Sequence, residues 1–334
     1  MFMKSTIDSE EIYISIIITA FNRTKYLEKA IMSALNQDLD RKFFEIIVIK
    51  NFYQNSIDDL ISSQSIISIY SDESNYGKWI LQALKVARGE VVSFLEDDDL
   101  YDVKRMEVTY HKFTENKNLG FLKTGFSFFS DDNVSLKKVW REVTKPIYIR
   151  SGNELDLKDL LKINRYGINA VISAAAIRKS ILISALKTFD SFYLFDYGLP
   201  YYALYQGYDV LALNNVLSYY RVSDSWTHIM TSDTDQFLNR KKLMLERTID
   251  DFLKLRGFLN ETNGYKLVLN YQLTKMQIEF RILSDDARGV DNIINYIELS
   301  IMDRNPKRIG SLLLLPIYKI NKGIARKLYF IMSS

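Results

Sequence analysis

Glu96, Asp97, Asp98 and Asp99 are four consecutive acids that follow directly on the apolar run Val91 to Leu95. Acids crowded at the end of a strand repel one another unless a cation or solvent relieves them. A divalent metal is the natural relief. Carboxylate oxygens are hard ligands that suit Mg²⁺ or Mn²⁺, ions that keep several waters and bridge to the phosphates of a nucleotide. Such an ion acts as a Lewis acid on a leaving diphosphate. The alternative is a solvated acidic turn, and the surrounding elements decide between the two.

Ile12 to Thr19 is a continuous β-branched run, and Tyr26 to Gln37 follows with Leu27, Ala30, Ile31, Ala34 and Leu35 at helical spacing. The same reasoning predicts strands at Phe44 to Ile49, Ile66 to Tyr70 and Val91 to Leu95, and a helix from Trp79 to Ala87 closing at Arg88-Gly89. Alternating strands and helices predict an α/β fold with a mostly parallel, doubly wound sheet. Strands this apolar on both faces belong in its middle. Ligands of such sheets collect at the strands' C-terminal ends. Those ends carry Ala20 to Arg23, Lys50-Asn51, Asn75 to Lys78 and the four acids, which favours the metal reading.

Past Asp99 the pattern loosens. It predicts a strand over Phe121 to Phe129, a turn at Asp131-Asp132-Asn133, a hairpin partner over Lys138 to Val143 and a helix over Leu155 to Lys162. Long amphipathic helices take over from Phe237. A boundary near Asp235 divides a catalytic domain (1–234, with halves at about 12–105 and 106–234) from a helical C-terminal region (235–334).

Lys and Arg total 44 against 41 Asp and Glu, a balance that argues against a nucleic-acid partner unless the charge is segregated. The lack of cysteine removes disulfides, thiol catalysis and cysteine metal sites, and points to a cytoplasmic compartment. Met1 to Glu11 mixes Lys4, Asp8, Glu10 and Glu11 and has no signal-peptide core. No uncharged apolar run reaches the roughly 18 to 20 residues that span a bilayer. No Gly-X-Gly-X-X-Gly follows the first strand, which disfavours an NAD-dependent oxidoreductase. Thr19-Ala-Phe-Asn-Arg is likewise not the Gly-rich loop of a nucleotidyltransferase.

Four segments in register carry a resemblance: Ile16-Ile-Ile-Thr-Ala-Phe-Asn-Arg23, Glu45-Ile-Ile-Val-Ile-Lys-Asn51, Asn75-Tyr-Gly77, and Ala87-Arg-Gly-Glu-Val-Val-Ser-Phe-Leu-Glu-Asp-Asp-Asp99. In order and spacing they resemble the signature of family 2 glycosyltransferases. The resemblance implies the GT-A fold, a Rossmann-like sheet with an acceptor-side extension, here followed by C-terminal helices. It implies that the backbone at Ala20 and Phe21, with Arg23, holds the base and diphosphate of a nucleotide-diphosphate sugar, and that Gly77 and Lys78 lie beside the nucleotide. Glu96-Asp97-Asp98 stands at the family's Asp-X-Asp motif, with Asp97 near the ribose and Glu96 and Asp98 on the metal. The chain departs from the family in having Glu96 for the first Asp. It also has Lys50 for the Asp that accepts a hydrogen bond from the base, so that Asn51 or Asp58 makes that contact or the nucleotide is not a uridine one.

Inverting transfer needs a carboxylate to take the acceptor's proton. Leu194 to Asp209 resembles the family segment that supplies it, with Asp196 as the base and Phe195 in place of the preceding acid. A helix N-cap is a compatible second role for Asp196. Small residues at Ser173 to Ala176 allow close approach of the sugar. Tyr219 to His228 resembles the segment that closes over the diphosphate, which puts Arg221 or His228 at the metal, the alternative for His228 being a solvent-facing loop. Tyr193, Tyr197, Tyr201, Tyr202, Tyr205 and Trp226 are either sugar-stacking walls or core.

From Arg304 to the end there are seven cations and no acid, interleaved with apolar residues. This basic amphipathic end suits an anionic membrane surface, peripheral on the inner face of the cell membrane and close to lipid-linked acceptors. The alternative is helices that pack on the catalytic domain or on a homodimer partner. Pro316 and Gly323 are expected to break the stretch. The expectation is therefore a metal-dependent inverting glycosyltransferase acting on a glycan, lipid-linked sugar or polymer. The alternative is a catalytically silent nucleotide-sugar-binding or scaffold protein of the same fold.

Overall fold

The most apolar stretches of the chain form the middle of one sheet. β1 (Ile14–Ala20) is buried at every position, as β-branched residues are when helices cover both faces. The computed structural model describes residues 12–130, 143–152, 155–189, 195–222, 231, 233–259, 263–284, 293–303 and 306–333. After β1 comes α1 (Leu27–Leu35), which buries Leu27, Ala30, Ile31 and Ala34 along one face. β2 (Phe44–Lys50) is again buried throughout. α2 (Asn55–Ser63) leads to β3 (Ile67–Tyr70), whose alternating burial is that of an edge strand. α3 (Tyr76–Val86) leads to β4 (Val91–Glu96).

The elements that follow are β5 (Leu100–Tyr101), α4 (Arg105–Glu115), β6 (Leu119–Phe129), β7 (Ile147–Ile149), α5 (Leu157–Arg165), β8 (Ala175–Arg178), α6 (Lys179–Phe189), α7 (Leu199–Tyr205) and β9 (Asp209–Arg221). The strand order is β3-β2-β1-β4-β8-β6-β9-β5, with β7 on β9. The first four strands are mutually parallel. Beyond them the sheet is mixed, since β8 runs antiparallel to both β4 and β6 while β9 is parallel to β6. The predicted hairpin partner of β6 falls outside the described residues except for Val143, and β6 pairs with β8 and β9. From β1 the chain winds outward to β2 and β3, then returns to β4 on the other side. Strand order therefore reverses between β1 and β4, and the loops leaving their C-terminal ends diverge to leave a crevice.

The chain forms two compact units. The first, Met1–Ser151 with Ala170–Ser191 and Tyr202–Arg221, holds the sheet. The second joins Gly152–Asn169, Phe192–Tyr201 and Val222–Ser334. It contains α5 and the helices α8 (Thr234–Phe258), α9 (Asn263–Leu283), α10 (Ile293–Met302), α11 (Pro306–Ile320) and α12 (Lys322–Ser333). α9 touches α5, α8, α10, α11 and α12. α5 is fastened by Arg165, whose Nε donates to the buried Asp303 Oδ1 at 2.9 Å. The basic stretch does break, but at Asn321 rather than at Pro316, which α11 accommodates. Asn321 Oδ1 accepts the Ile324 N–H at 3.1 Å and so caps α12.

Candidate active site

Two loops meet at the reversal point. β1 and β4 pair in parallel, with Thr19 opposite Glu96, so both strands release their loops at the same level. Past the buried Ala20, Asn22 turns the chain with φ 55°, a left-handed conformation that Asn tolerates. Asn51, at the end of β2, braces this turn: its Oδ1 accepts Asn22 N–H at 2.8 Å and its Nδ2 donates to Asn22 Oδ1 at 2.7 Å. Phe21 is left 51% exposed, its ring 5.5 Å from that of Trp79. Arg23 reaches the acidic turn. Its Nε and Nη2 grip Asp97 at 2.9 and 2.5 Å, and Nη1 donates to Asp98 Oδ2 at 2.7 Å.

The segment before β4 fixes that register. A Cβ on Gly89 would lie 2.5 Å from the backbone N of Ser15, so only glycine lets the chain pass β1 this closely. Gly89 N–H donates to Ser15 Oγ at 2.9 Å, and Ser15 Oγ donates to Glu45 Oε1 at 2.7 Å. Glu45 also accepts the Arg88 N–H at 2.6 Å and its Nε at 2.8 Å. β1, β2 and β4 are thereby bolted together at the end remote from the site.

Carboxylate oxygens of Glu96, Asp98 and Asp99 lie within 4.8 Å of one another. Asp97, Asp98 and Asp99 are all buried. Burial pushes the Asp97 carboxyl up to about 6 even with Arg23 beside it. Asp99 is driven up by burial and then by the charge of Asp98. Burial works against the Arg23 cation too, but its bonds to Asp97 and the charges of Asp97, Asp98 and Glu96 outweigh that and strengthen its hold on the proton. Asp99 Oδ1 accepts the Arg221 N–H at 2.9 Å, while its buried Oδ2 has no hydrogen-bond partner among the described residues. Three convergent hard oxygen donors and an orphaned buried carboxylate oxygen fit a divalent cation.

Arg221 Nε donates to the Asp98 carbonyl at 2.9 Å, with its guanidinium over the rings of Tyr26 and Phe129. Ser173 Oγ accepts the Glu96 N–H at 3.0 Å. The strand β6 supports that serine: Lys123 Nζ donates to the carbonyls of Ala170 and of Val171, the latter residue having φ 55°. Residues that are far apart in sequence thus hold the turn from below.

In front of the turn lies an open pocket of about 170 Å³. Thr19, Phe21 and Arg23 line it from the end of β1 and the loop after it, Glu96 and Asp97 from the end of β4 and its turn, and Asn75, Tyr76 and Trp79 from the cap and first turn of α3. Asn75 caps α3, its Oδ1 accepting the Lys78 N–H at 3.0 Å. Gly77 is buried in the first turn, and the Lys78 side chain points to Glu73 at 3.4 Å. Trp79 lies in a helix that the sequence predicts without a role in the site; its place two residues after Asn75-Tyr-Gly77 is the signal that points to it. Asp99, which closes the same acidic run, joins Glu96 and Asp98 as a third candidate ligand that the motif alone does not name.

Lys50 proves to be buried, 1% exposed, with Nζ 2.8 Å from Asp58 and 2.7 Å from the Phe52 carbonyl. Asp58 also accepts the Gln54 N–H at 2.9 Å. The two residues offered as replacements for an acid at this position, Asn51 and Asp58, thus each hold a local partner. Asp196 belongs to the second unit, half-buried in a 3₁₀ turn (Phe195–Tyr197) ahead of α7, with its Oδ1 accepting the Tyr197 N–H at 3.1 Å. His228, Tyr193 and Trp226 lie outside the described residues. Tyr201 and Tyr202 are core rather than sugar walls, 0% and 2% exposed and bonded to Asn164 and Ser184 respectively.

Residues 15–180 match the profile of Glycosyl transferase family 2. The chain belongs to that family. It is 24% identical over 290 residues to an uncharacterized glycosyltransferase of Rickettsia typhi, covering 81% of this chain and 86% of that protein. It is 23% identical over 216 residues to a Bacillus subtilis protein named "Putative teichuronic acid biosynthesis glycosyltransferase TuaG", covering 63% of this chain and 79% of that protein. The fold resembles S. aureus TarS 1–349 in complex with UDP-GlcNAc (TM-score 0.51, 16% identity, 81% of each chain). It also resembles the mannosyltransferase PcManGT from Pyrobaculum calidifontis in complex with GDP-Man and Mn²⁺ (TM-score 0.50, 12% identity, 95% of this chain and 86% of that one). The protein is therefore a glycosyltransferase with the GT-A fold.

Proposed function

We propose that this glycosyltransferase moves a sugar from a nucleotide-diphosphate donor to a hydroxyl of a glycan, a lipid-linked sugar or a polymer, with inversion and with Mg²⁺ or Mn²⁺. The observation that carries the reading is Arg23 clamped to Asp97 and Asp98 at the mouth of the pocket. A cation suited to diphosphate and carboxylates suited to a metal stand side by side at the strand reversal.

In this reading Phe21 and Trp79 make the apolar wall for the base, and the backbone at Ala20 and Phe21 lines its edge. Arg23 and the amide end of α3, at Gly77 and Lys78, attract the diphosphate. Asp97 takes the ribose hydroxyls. Glu96, Asp98 and Asp99 would hold the cation, which supplies Lewis-acid stabilisation of the leaving diphosphate. Asp196 removes the proton of the acceptor hydroxyl while that hydroxyl's oxygen bonds to the anomeric carbon. The bond from that carbon to the diphosphate breaks on the opposite face, its electron pair leaves with the phosphate oxygen, and the configuration inverts. The buried Lys50 leaves the choice of base to the experiment. TarS with UDP-GlcNAc and PcManGT with GDP-Man define the first two nucleotides to try.

The test is thermal stabilisation by UDP-, GDP- and dTDP-sugars with and without Mn²⁺. A ligand at a hundred times its Kd adds about 2.7 kcal/mol, roughly 5 to 10 °C in a unit of this size. A metal-dependent rise with one nucleotide class is the expected result. No rise with any donor, with or without metal, would sink the proposal.

A further inference from the structure

We infer that the outward face of the α11–α12 helix pair docks the protein on an anionic lipid surface. On α12 the buried Ala325 and Tyr329 mark the inner side, and Ile324, Lys327 and Ile331 lie opposite at i, i+3 and i+7. On α11 the buried Leu314 and Tyr318 place Leu313, Pro316 and Ile320 outward in the same way. Ile320, Ile331, Leu313 and Ile324 are 87, 69, 66 and 51% exposed. Single exposed isoleucines are ordinary, whereas two adjoining helices that both turn aliphatic stripes to water have a surface to cover.

Charge complementarity identifies the surface. The exposed Lys319, Lys322 and Lys327 border or interrupt the apolar stripes, and the chain from Arg304 onward carries seven cations and no acid. A second copy would set these cations against their own kind. A lipid surface instead receives the aliphatic side chains at the acyl boundary while the lysines extend to the headgroup phosphates. No described helix is long and apolar enough to cross a membrane, so this pair lies on the surface.

The test floats the full chain with phosphatidylcholine vesicles made with and without phosphatidylglycerol, at low and high salt; no donor is needed, so the result is independent of the catalytic reading. Binding is expected only with phosphatidylglycerol and is expected to weaken with salt. Lys319→Gln, Lys322→Gln and Lys327→Gln together should lower the partition roughly a hundredfold, at about fivefold per lysine. Ile324→Glu with Ile331→Glu should abolish binding and leave thermal unfolding unchanged, both side chains being exposed. Absence of flotation, or flotation indifferent to phosphatidylglycerol or to both variants, overturns the inference. So does a dimer in sedimentation that Ile324→Glu and Ile331→Glu dissolve without any vesicle binding, which would assign the face to a second copy.

Discussion

Asp97→Asn should make the protein more stable at neutral pH and poorer at holding its donor. The Asp97 carboxyl titrates at about 6 in the fold, against 3.8 for the ordinary group. That difference corresponds to about 3 kcal/mol spent in keeping a buried carboxylate ionised above pH 6. A group whose folded value is raised contributes its full stability below 3.8, and the contribution is lost as pH rises through 6. Asparagine carries no such charge, and the loss of the charged contact with Arg23 is already contained in that difference, because Arg23 lowers the Asp97 value against the burial that raises it. The gain is about 3 kcal/mol at pH 8, or roughly 6 to 12 °C. It should shrink to nothing or reverse near pH 4. The assay is urea denaturation of wild type and variant at pH 4, 6 and 8 in chelator, beside nucleotide-sugar titration at pH 8. A variant no more stable than wild type at pH 8, or a gain that persists unchanged at pH 4, would refute the electrostatic account of the site.

Asp98→Asn should remove the Mn²⁺-dependent part of donor stabilisation and leave the metal-free part, measured by thermal shift. Asp196→Asn should keep donor affinity and lose at least 10²-fold in turnover; full activity would reject Asp196 as the base. Gly89→Ala forces a methyl against β1 backbone and disturbs the Ser15–Glu45–Arg88 network. It should cost about 2 to 4 kcal/mol in denaturation experiments. Lys123→Met strips the buried carbonyls of Ala170 and Val171 of their ammonium, and should cost about 2 kcal/mol and weaken Mn²⁺ binding through Ser173.

What the sequence determined by itself is what short-range chemistry decides. Ile14 to Ala20, Phe44 to Lys50 and Val91 to Glu96 are strands because their β-branched and aromatic runs suit an element covered on both faces. Glu96 to Asp99 is an acidic turn because polar residues end such a run. These two facts alone place the acids at strand ends. The tertiary structure decided the rest, because pairing and burial depend on residues that are distant in sequence. The mixed half of the sheet needs β8 and β9 beside β6, a choice that no local periodicity encodes. Tyr201 and Tyr202 have the residue type of a sugar wall, yet burial makes them core. Lys50 reads as a lost acceptor, yet it is a buried cation paired with Asp58 eight residues on. Asp99 gains its place among the acids from Arg221, 122 residues away, whose backbone N–H orients one oxygen and leaves the other buried with no hydrogen-bond partner among the described residues.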